Sequence, residues 1–482
     1  MAALENGPAP KAAPGRAARP RRRAWAWVLA PASVLLAVFG AFTADSMCRY
    51  GVGFGTAAKG VLKEGGLAAI RTAVWVCDPC EPRHAPLGPR PAPDLTGYAR
   101  IEDVLPPGRV VPLPPAGSAE VRAVSNERIV RGSYPFWYQP YDEPRLHELR
   151  RKYRLDEVVA PAATEFEELV LLRNWTRSQF RRSDYQPYTA DFDALAVLDR
   201  GYRDHGLPFN PAEHFDPCHF FPLLYAQVVL SMGHQARLVA VHHGMTEVWS
   251  NQYRKWVLMD AELNHHFERD GVPLNMGELR EIFHDPSPDR VRVVQGEQTS
   301  GDASTTMVHL KVAELDPESG VAWFAGPLHL VDLRNDWMTN RYFRGHPARS
   351  EGNSLVYADP LAPGAAVRFE LRLRPITTRE EDFYWTLNQA EILARPVPRQ
   401  GGPGPGGAEG GSGPALDLAF RTVTPNFDHF EVATDGGAAS RSDSPYFRWE
   451  LHEGDNTLTV RPVNRFGVRG IESRVEVFVR PR

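Results

Sequence analysis

Residues 216–260 read DPCHFFPLLYAQVVLSMGHQARLVAVHHGMTEVWSNQYRKWVLMD, one long apolar run followed by alternating segments. One helix face is indicated by residues at intervals of three and four, namely Cys218, Phe221, Tyr225, Val228 and Met232. The intervening residues are mostly apolar too, which predicts a helix that is buried on all sides. Pro222 lacks an N–H and is tolerated only near a helix start, so we expect the helix to begin near Cys218 or His219.

The segments after this helix predict two strands. Residues 237–249 are expected to form one edge strand with His243 in its middle, and residues 255–260 the next strand after a turn at 250–254. Pairing of these strands would bring His243 and Asp260 side by side, whereas strand alternation would direct His242 to the opposite face. Cys218 would lie at a helix N-terminus, where the macrodipole and free N–H groups favour a thiolate. The three residue types in this order suit a nucleophile, a base and an orienting acid.

These residues resemble the core of the transglutaminase-like superfamily, papain-related cysteine enzymes with short bacterial members. The family pattern is a Cys-headed helix closed by a Leu-Gly-x-x-Ala-Arg-type turn, then a His-x-x-x-Glu-Val strand and a Trp-Val-x-x-Asp strand. The matching positions are Cys218, residues 231–237 (SMGHQAR), 243–248 (HGMTEV) and 256–260 (WVLMD). The clear resemblance covers residues 214–278. It departs from the pattern at Asp216-Pro217, where glycine commonly precedes the Cys, and at Met245, where an aromatic residue is common.

The resemblance implies catalysis by Cys218, His243 and Asp260 on an amide, peptide or ester carbonyl, through a thioester intermediate. The expected substrate is a protein or peptide, no cofactor or metal is implied, and hydrolysis by water is favoured over cross-linking to an amine. The alternative is a non-catalytic cell-surface scaffold or binding protein with a relic triad. A metal site is disfavoured, because no ligand doublets accompany the conceivable donors His214, Asp216, Cys218 and His219.

The N-terminal segment predicts export of most of the chain. Residues 24–44 carry no charge and are long enough to span a bilayer, and Arg21, Arg22 and Arg23 precede them. The positive-inside rule then leaves residues 1–23 as a cytoplasmic tail and places the bulk in the periplasm or outside the cell. A single-pass signal anchor is preferred to a cleaved signal peptide, because cleavage after Ala44 would put Phe42 where a small residue is required.

The remaining composition divides the chain into segments. Residues 45–120 are a Pro/Gly-rich connector with a CxxC at 77–80, expected to be a local disulfide or two loop thiols. Residues 121–290 form the predicted transglutaminase-like core. Residues 291–398 are β-rich, with alternating runs such as 306–312 and 366–373. A Gly/Pro linker at 399–414 precedes an immunoglobulin- or fibronectin-like β-domain at 415–482, which is short and can borrow strands from before the linker.

The fold class predicted from these features is α+β. A papain/transglutaminase-like core, with its Cys-bearing helix packed on an antiparallel sheet, is joined to a β-sandwich-type C-terminal region and preceded by one transmembrane helix. The chain has 482 residues and a net charge of −4, so it has no basic field for nucleic acid. The expected contacts are with the membrane through residues 24–44 and with a cell-envelope partner through the β-domains.

Overall fold

The computed structural model describes residues 93–113, 117–179, 194–195, 198, 217–240, 244–283, 291–296, 328–339, 354–358, 375–395 and 414–480. All of these belong to one compact unit, His84–Arg482. The predicted membrane segment 24–44, the CxxC at 77–80, the runs 306–312 and 366–373 and residues 399–413 of the linker lie outside the described residues. Among the helices described, none is long and apolar enough to cross a membrane.

The described part is rich in sheet with few helices, which confirms the α+β class. The helices are α1 (Ile101–Val104), α2 (Pro144–Lys152), α3 (Leu155–Val159), α4 (Glu165–Ser178), α5 (Pro217–Ser231) and α6 (Met276–Phe283). The side chain of Glu143 accepts from the Arg145 N–H at the start of α2, and the side chain of Thr164 accepts from the Glu167 N–H at the start of α4. Both helices therefore begin at residues whose side chains satisfy a free backbone donor.

Thirteen strands precede the Gly/Pro linker in the described residues. They are β1 (Ala99–Arg100), β2 (Val110–Pro112), β3 (Ser118–Ser125), β4 (Ala236–Ala240), β5 (Gly244–Ser250), β6 (Lys255–Met259), β7 (His265–Arg269), β8 (Val272–Pro273), β9 (Val291–Gln295), β10 (Leu328–Asp332), β11 (Ser354–Ala358), β12 (Ile376–Thr377) and β13 (Ala390–Ala394). The described residues after the linker add β14 (Ala415–Thr422), β15 (Phe427–Thr434), β16 (Ser440–Ser442), β17 (Tyr446–Glu450), β18 (Gly454–Asn464) and β19 (Ser473–Arg480).

A six-stranded sheet in the order β12-β11-β10-β4-β5-β6 carries the central helix α5. Its described pairings are antiparallel except that of β11 with β12. The sheet face towards α5 contributes Leu238, Val248, Val257 and Met259 to a core shared with the apolar residues of α4 and α5. Alternation along the strands therefore produces one sheet face that the central helix covers.

The C-terminal region consists of two antiparallel sheets, ordered β16-β15-β18-β19-β3-β2 and β1-β13-β14-β17. Both contribute to one apolar core that includes Trp449, Phe420 and Val460. Strands from before the linker complete it, since β3 pairs with β19 and β13 pairs with β14. The sheets thus extend beyond residues 415–482, as the short length of that segment had suggested.

The sequences Gly454-Asp455-Asn456 and Phe466-Gly467 both predict turns between the strands of this region, and one of the two is present. The turn at Phe466 and Gly467 is present, with Gly467 at φ +84°. The turn predicted at residues 454–456 is wrong, because Gly454 begins β18, and Asp455 and Asn456 pair with β19. The Gly-Asp-Asn sequence is a strong turn signal, but the ladder with β19 extends to it.

One loop of the C-terminal region packs against the turn that ends α5. Gly233 there has φ +90°, and a Cβ at this position would lie 2.4 Å from the Cβ of Phe466. The Asn464 side-chain amide donates to the Gly233 carbonyl at 2.8 Å, and Phe466 also contacts the rings of Tyr141 and His147. The C-terminal sheets are therefore fixed directly to the end of the central helix.

Candidate active site

The helix predicted around Cys218 is present as α5 and begins at Pro217, so Cys218 is its second residue. Proline suits the first helical position because its fixed φ matches the helix and no N–H is required there. The N–H of Cys218 is one of the first four donors, which have no acceptor within the helix. Pro222 cannot donate to the Cys218 carbonyl four residues earlier, so the missing bond falls in the first turn, where the helix tolerates it.

The rest of α5 confirms the prediction of a helix buried on every side. Residues 221–232 are all buried, and the turn after the helix ends at Gly233. Thr246 of β5 donates its hydroxyl proton to the Pro222 carbonyl at 2.8 Å. This buried bond joins the start of β5 to the second turn of α5, and so fixes the helix relative to the sheet close to Cys218.

The single edge strand predicted over residues 237–249 is wrong. β4 and β5 are separate antiparallel strands in which Ala240 pairs with Gly244, and β6 rather than β5 lies at the sheet edge. His242 and His243 belong to the short connection between these strands and lie outside the described residues. The alternation argument that separated the two histidines therefore no longer applies, because it assumed one continuous strand.

Asp260 follows β6 directly and is 1% exposed. Its backbone exchanges two hydrogen bonds with His265, at 2.9 and 3.1 Å, and its Oδ1 accepts the Leu263 N–H at 2.8 Å. The last described pair of the β5–β6 hairpin is Thr246 with Met259, and Asp260 directly follows Met259 in the chain. Thr246 is the third residue of β5. The hairpin thus holds a buried carboxylate close to the start of β5.

Several residues that match the family pattern have structural roles on the other side of this sheet. Arg237 and Glu247 are directly paired across β4 and β5 and are fully buried, with Arg237 Nε 3.0 Å from Glu247 Oε2. The Arg237 guanidinium also lies 4.2 Å from the ring centroid of Trp256 and 4.6 Å from that of Trp385. Glu247 Oε1 accepts the Met276 N–H at 2.8 Å. This arrangement fixes the sheet and α6 rather than presenting groups to a substrate.

Sequence reasoning missed a buried polar cluster that joins α4 to the turn after β6. Arg173 is fully buried and donates to Asn264 Oδ1 at 3.0 Å and to His266 Nδ1 at 2.8 Å. His266 Nε2 then donates to Glu268 Oε1 at 3.2 Å, and Glu268 Oε2 accepts from the exposed Arg292 at 2.7 Å. The sequence signal for this cluster was the position of Arg173, which shares the buried face of α4 with Leu169 and Thr176.

The cluster has perturbed acidities. Burial lowers the pKa of Arg173 to about 10, although the nearby Tyr225 and Asp260 act in the opposite direction. Burial, followed by the charge of Arg173, lowers the pKa of His266 to about 4, while its bond to Glu268 acts against this. At neutral pH Arg173 is therefore charged and His266 neutral, accepting at Nδ1 and donating at Nε2.

Within the described ranges no group of three His, Cys, Asp or Glu side chains is arranged to hold a metal ion. The side chains of the conceivable donors His214, Asp216, Cys218 and His219 lie outside those described. A small depression is lined by Arg280, Tyr357, Glu380 and Tyr384 among others, and Asp260 is not part of it.

The arrangement can serve nucleophilic acyl chemistry, because a cysteine at a helix N-terminus is fixed to a hairpin that ends in a buried carboxylate. Comparison of the chain with protein-family models, curated proteins and solved structures gave no match.

Proposed function

We propose that this chain is a transglutaminase-like cysteine enzyme that acts on amide or peptide bonds, with Cys218, His243 and Asp260 as its triad. The observation that carries the proposal is the geometry of α5 and the β5–β6 hairpin. Cys218 is the second residue of a buried helix, the helix is bonded to β5 through Thr246, and the hairpin ends in the buried Asp260. His243 immediately precedes β5 in the sequence.

In the proposed reaction the Cys218 thiol gives its proton to His243 as the sulfur attacks the carbonyl carbon. The Cys218 N–H, which has no acceptor within α5, donates to the oxyanion that forms. Collapse of the intermediate breaks the C–N bond, and the amine leaves with the proton from His243. Water then attacks the thioester, returning the proton to the thiol and releasing a carboxylic acid. Asp260 orients the imidazole and stabilises its protonated form.

The proposal is tested by alkylation of Cys218 in the full chain with iodoacetamide at pH 6, quantified by mass spectrometry of its peptide. We expect fast labelling in the native protein and slow labelling in urea, because an ordinary thiol with a pKa near 8.5 is mostly protonated at pH 6. His243→Ala should abolish the native advantage, and Asp260→Asn should reduce it. His242→Ala should leave most of it, because the resemblance matches the histidine of the family pattern to His243 and not to His242. Equal rates in native and unfolded protein, or equal losses for His242→Ala and His243→Ala, would support the non-catalytic scaffold instead.

We further propose that residues 24–44 anchor the chain and that the enzyme acts outside the cytoplasm. The uncharged segment preceded by Arg21, Arg22 and Arg23 supports this orientation. A reporter that is active only in the cytoplasm, fused after residue 130, should give no signal. A strong signal would contradict the topology while leaving the chemistry of Cys218 untouched.

A further inference from the structure

The fully buried Arg173 in the middle of α4 takes no direct part in the reaction proposed for Cys218, His243 and Asp260. We propose that Arg173 is a positioning residue for Asp260. Arg173 holds the turn that contains this carboxylate and keeps a positive charge beside it. This inference rests on the proposed function, because positioning Asp260 matters only if Asp260 serves the triad.

The contacts of Arg173 bracket Asp260 in the sequence. Its guanidinium reaches Met259 Sδ at 3.4 Å on one side, and Asn264 Oδ1 at 3.0 Å and His266 Nδ1 at 2.8 Å on the other. Between these points Asp260 bonds to Leu263 and His265 of the same turn. Arg173 therefore ties the turn that contains Asp260 to α4.

The charge of Arg173 is as informative as its contacts. Its pKa of about 10 keeps it protonated at neutral pH despite complete burial, and Asp260 is the carboxylate that favours this charged form. By reciprocity, the guanidinium favours the ionised form of Asp260. An ionised carboxylate is what a triad acid must be in order to stabilise an imidazolium.

The hydrogen bonds of Arg173 do not account for its whole side chain. In the described part of the chain Arg173 Nη2 is buried and makes no hydrogen bond. A buried cation with an unsatisfied donor is costly, and an apolar side chain of similar volume would avoid that cost. The cost is accounted for if the charge serves a neighbouring group, and Asp260 is a carboxylate whose charge interacts with that of Arg173.

The test is the pH dependence of Cys218 alkylation by iodoacetamide in the full chain, which needs no substrate. Arg173→Met retains bulk but removes the charge and the donors. We expect the midpoint of the Cys218 reaction to rise by about one pH unit, the low end of the effect of a nearby charge. Arg173→Lys keeps the charge without the forked donors, so its midpoint should rise less. Arg280→Met, at a buried arginine of α6 that lies over Tyr357, is the matched control and should leave the midpoint unchanged.

A double-mutant comparison separates positioning from general packing. If Arg173 acts through Asp260, adding Arg173→Met to Asp260→Asn should raise the midpoint little beyond Asp260→Asn alone. Full additivity, or an unchanged midpoint in Arg173→Met, would overturn the inference. If Arg173→Met does not fold, an unchanged midpoint in Arg173→Lys overturns it equally. An ordinary midpoint near pH 8.5 in the wild-type chain would instead refute the proposed function itself.

Discussion

His266 should make the folded protein sensitive to mild acid. Its side chain is 3% exposed, it accepts from Arg173 at Nδ1, and Glu268, His265 and the ring of Phe166 also face it. Its pKa falls from 6.5 to about 4 on folding, so between these values the unfolded chain binds the extra proton. The free energy of unfolding is then fully retained above pH 6.5 and lost as the pH falls towards 4. At 1.36 kcal/mol per pH unit, the loss is about 3 kcal/mol.

The perturbation that isolates this effect is His266→Gln, because an amide does not titrate. Equilibrium urea unfolding of the full chain, followed by tryptophan fluorescence between pH 7 and pH 4, should show the wild type losing about 3 kcal/mol more than the variant. His452→Gln is the control, because the pKa of the exposed His452 is raised, first by the Glu453 carbonyl, so its contribution has the opposite sign. Arg292 and His266 lower the pKa of Glu268 against the effect of burial. Glu268 therefore adds a loss of stability only below its ordinary pKa of 4.5. Parallel acid losses in wild type and His266→Gln would refute the assignment of His266 as a buried neutral acceptor.

Two further substitutions test the frame that holds the site, both by urea unfolding at pH 7. Glu247→Gln leaves the charge of Arg237 buried without its partner and should cost about 3–5 kcal/mol, whereas Asp417→Asn, in the exposed pair with Arg448, should cost less than about 1 kcal/mol. Similar losses for the two would contradict the structural role of the buried pair. Gly233→Ala combines an unfavourable φ with a clash at Phe466 and should cost about 2–3 kcal/mol, while Gly436→Ala, at φ +71° but in open space, should cost only about 1 kcal/mol. Equal effects would mean that Phe466 does not pack against the end of α5.

The parts of the fold that could be predicted are those governed by local rules. The period of α5, the start imposed by Pro217 and Pro222, and the turn at 250–254 all follow from residues close in sequence. The β4–β5 reversal was missed because residues 241–243 (VHH) contain no turn-forming residue and only the register of the finished sheet reveals it. The pairing of β3 with β19 was missed for a related reason, since its partners are hundreds of residues apart.

The residues of the candidate site also divide into those that local sequence patterns predict and those that depend on contacts between distant segments. Asp260 could be proposed because it ends a clear strand pattern and matches the Asp of the Trp-Val-x-x-Asp strand in the resemblance. Arg173 was missed because arginine on a helix is normally exposed, although its position on the buried face of α4 was a signal. Its bonds to the turn at residues 260–264 follow only from the packing of α4 against that turn. Pairing across the sheet and contact between remote helices are therefore the information that a single sequence lacks.

Two clusters of buried side chains lie at this sheet, and only the second includes a residue that we propose for catalysis. Arg237, Glu247 and Trp256 form a packed, hydrogen-bonded cluster away from α5, so a non-catalytic protein with this fold would need them equally. Asp260 and Arg173 are also buried, but the Nη2 atom of Arg173 makes no hydrogen bond in the described part of the chain, so its charge costs free energy that an apolar residue would avoid. This cost supports the proposed role of Arg173, and the reactivity of Cys218 is the measurement that decides between an enzyme and a relic.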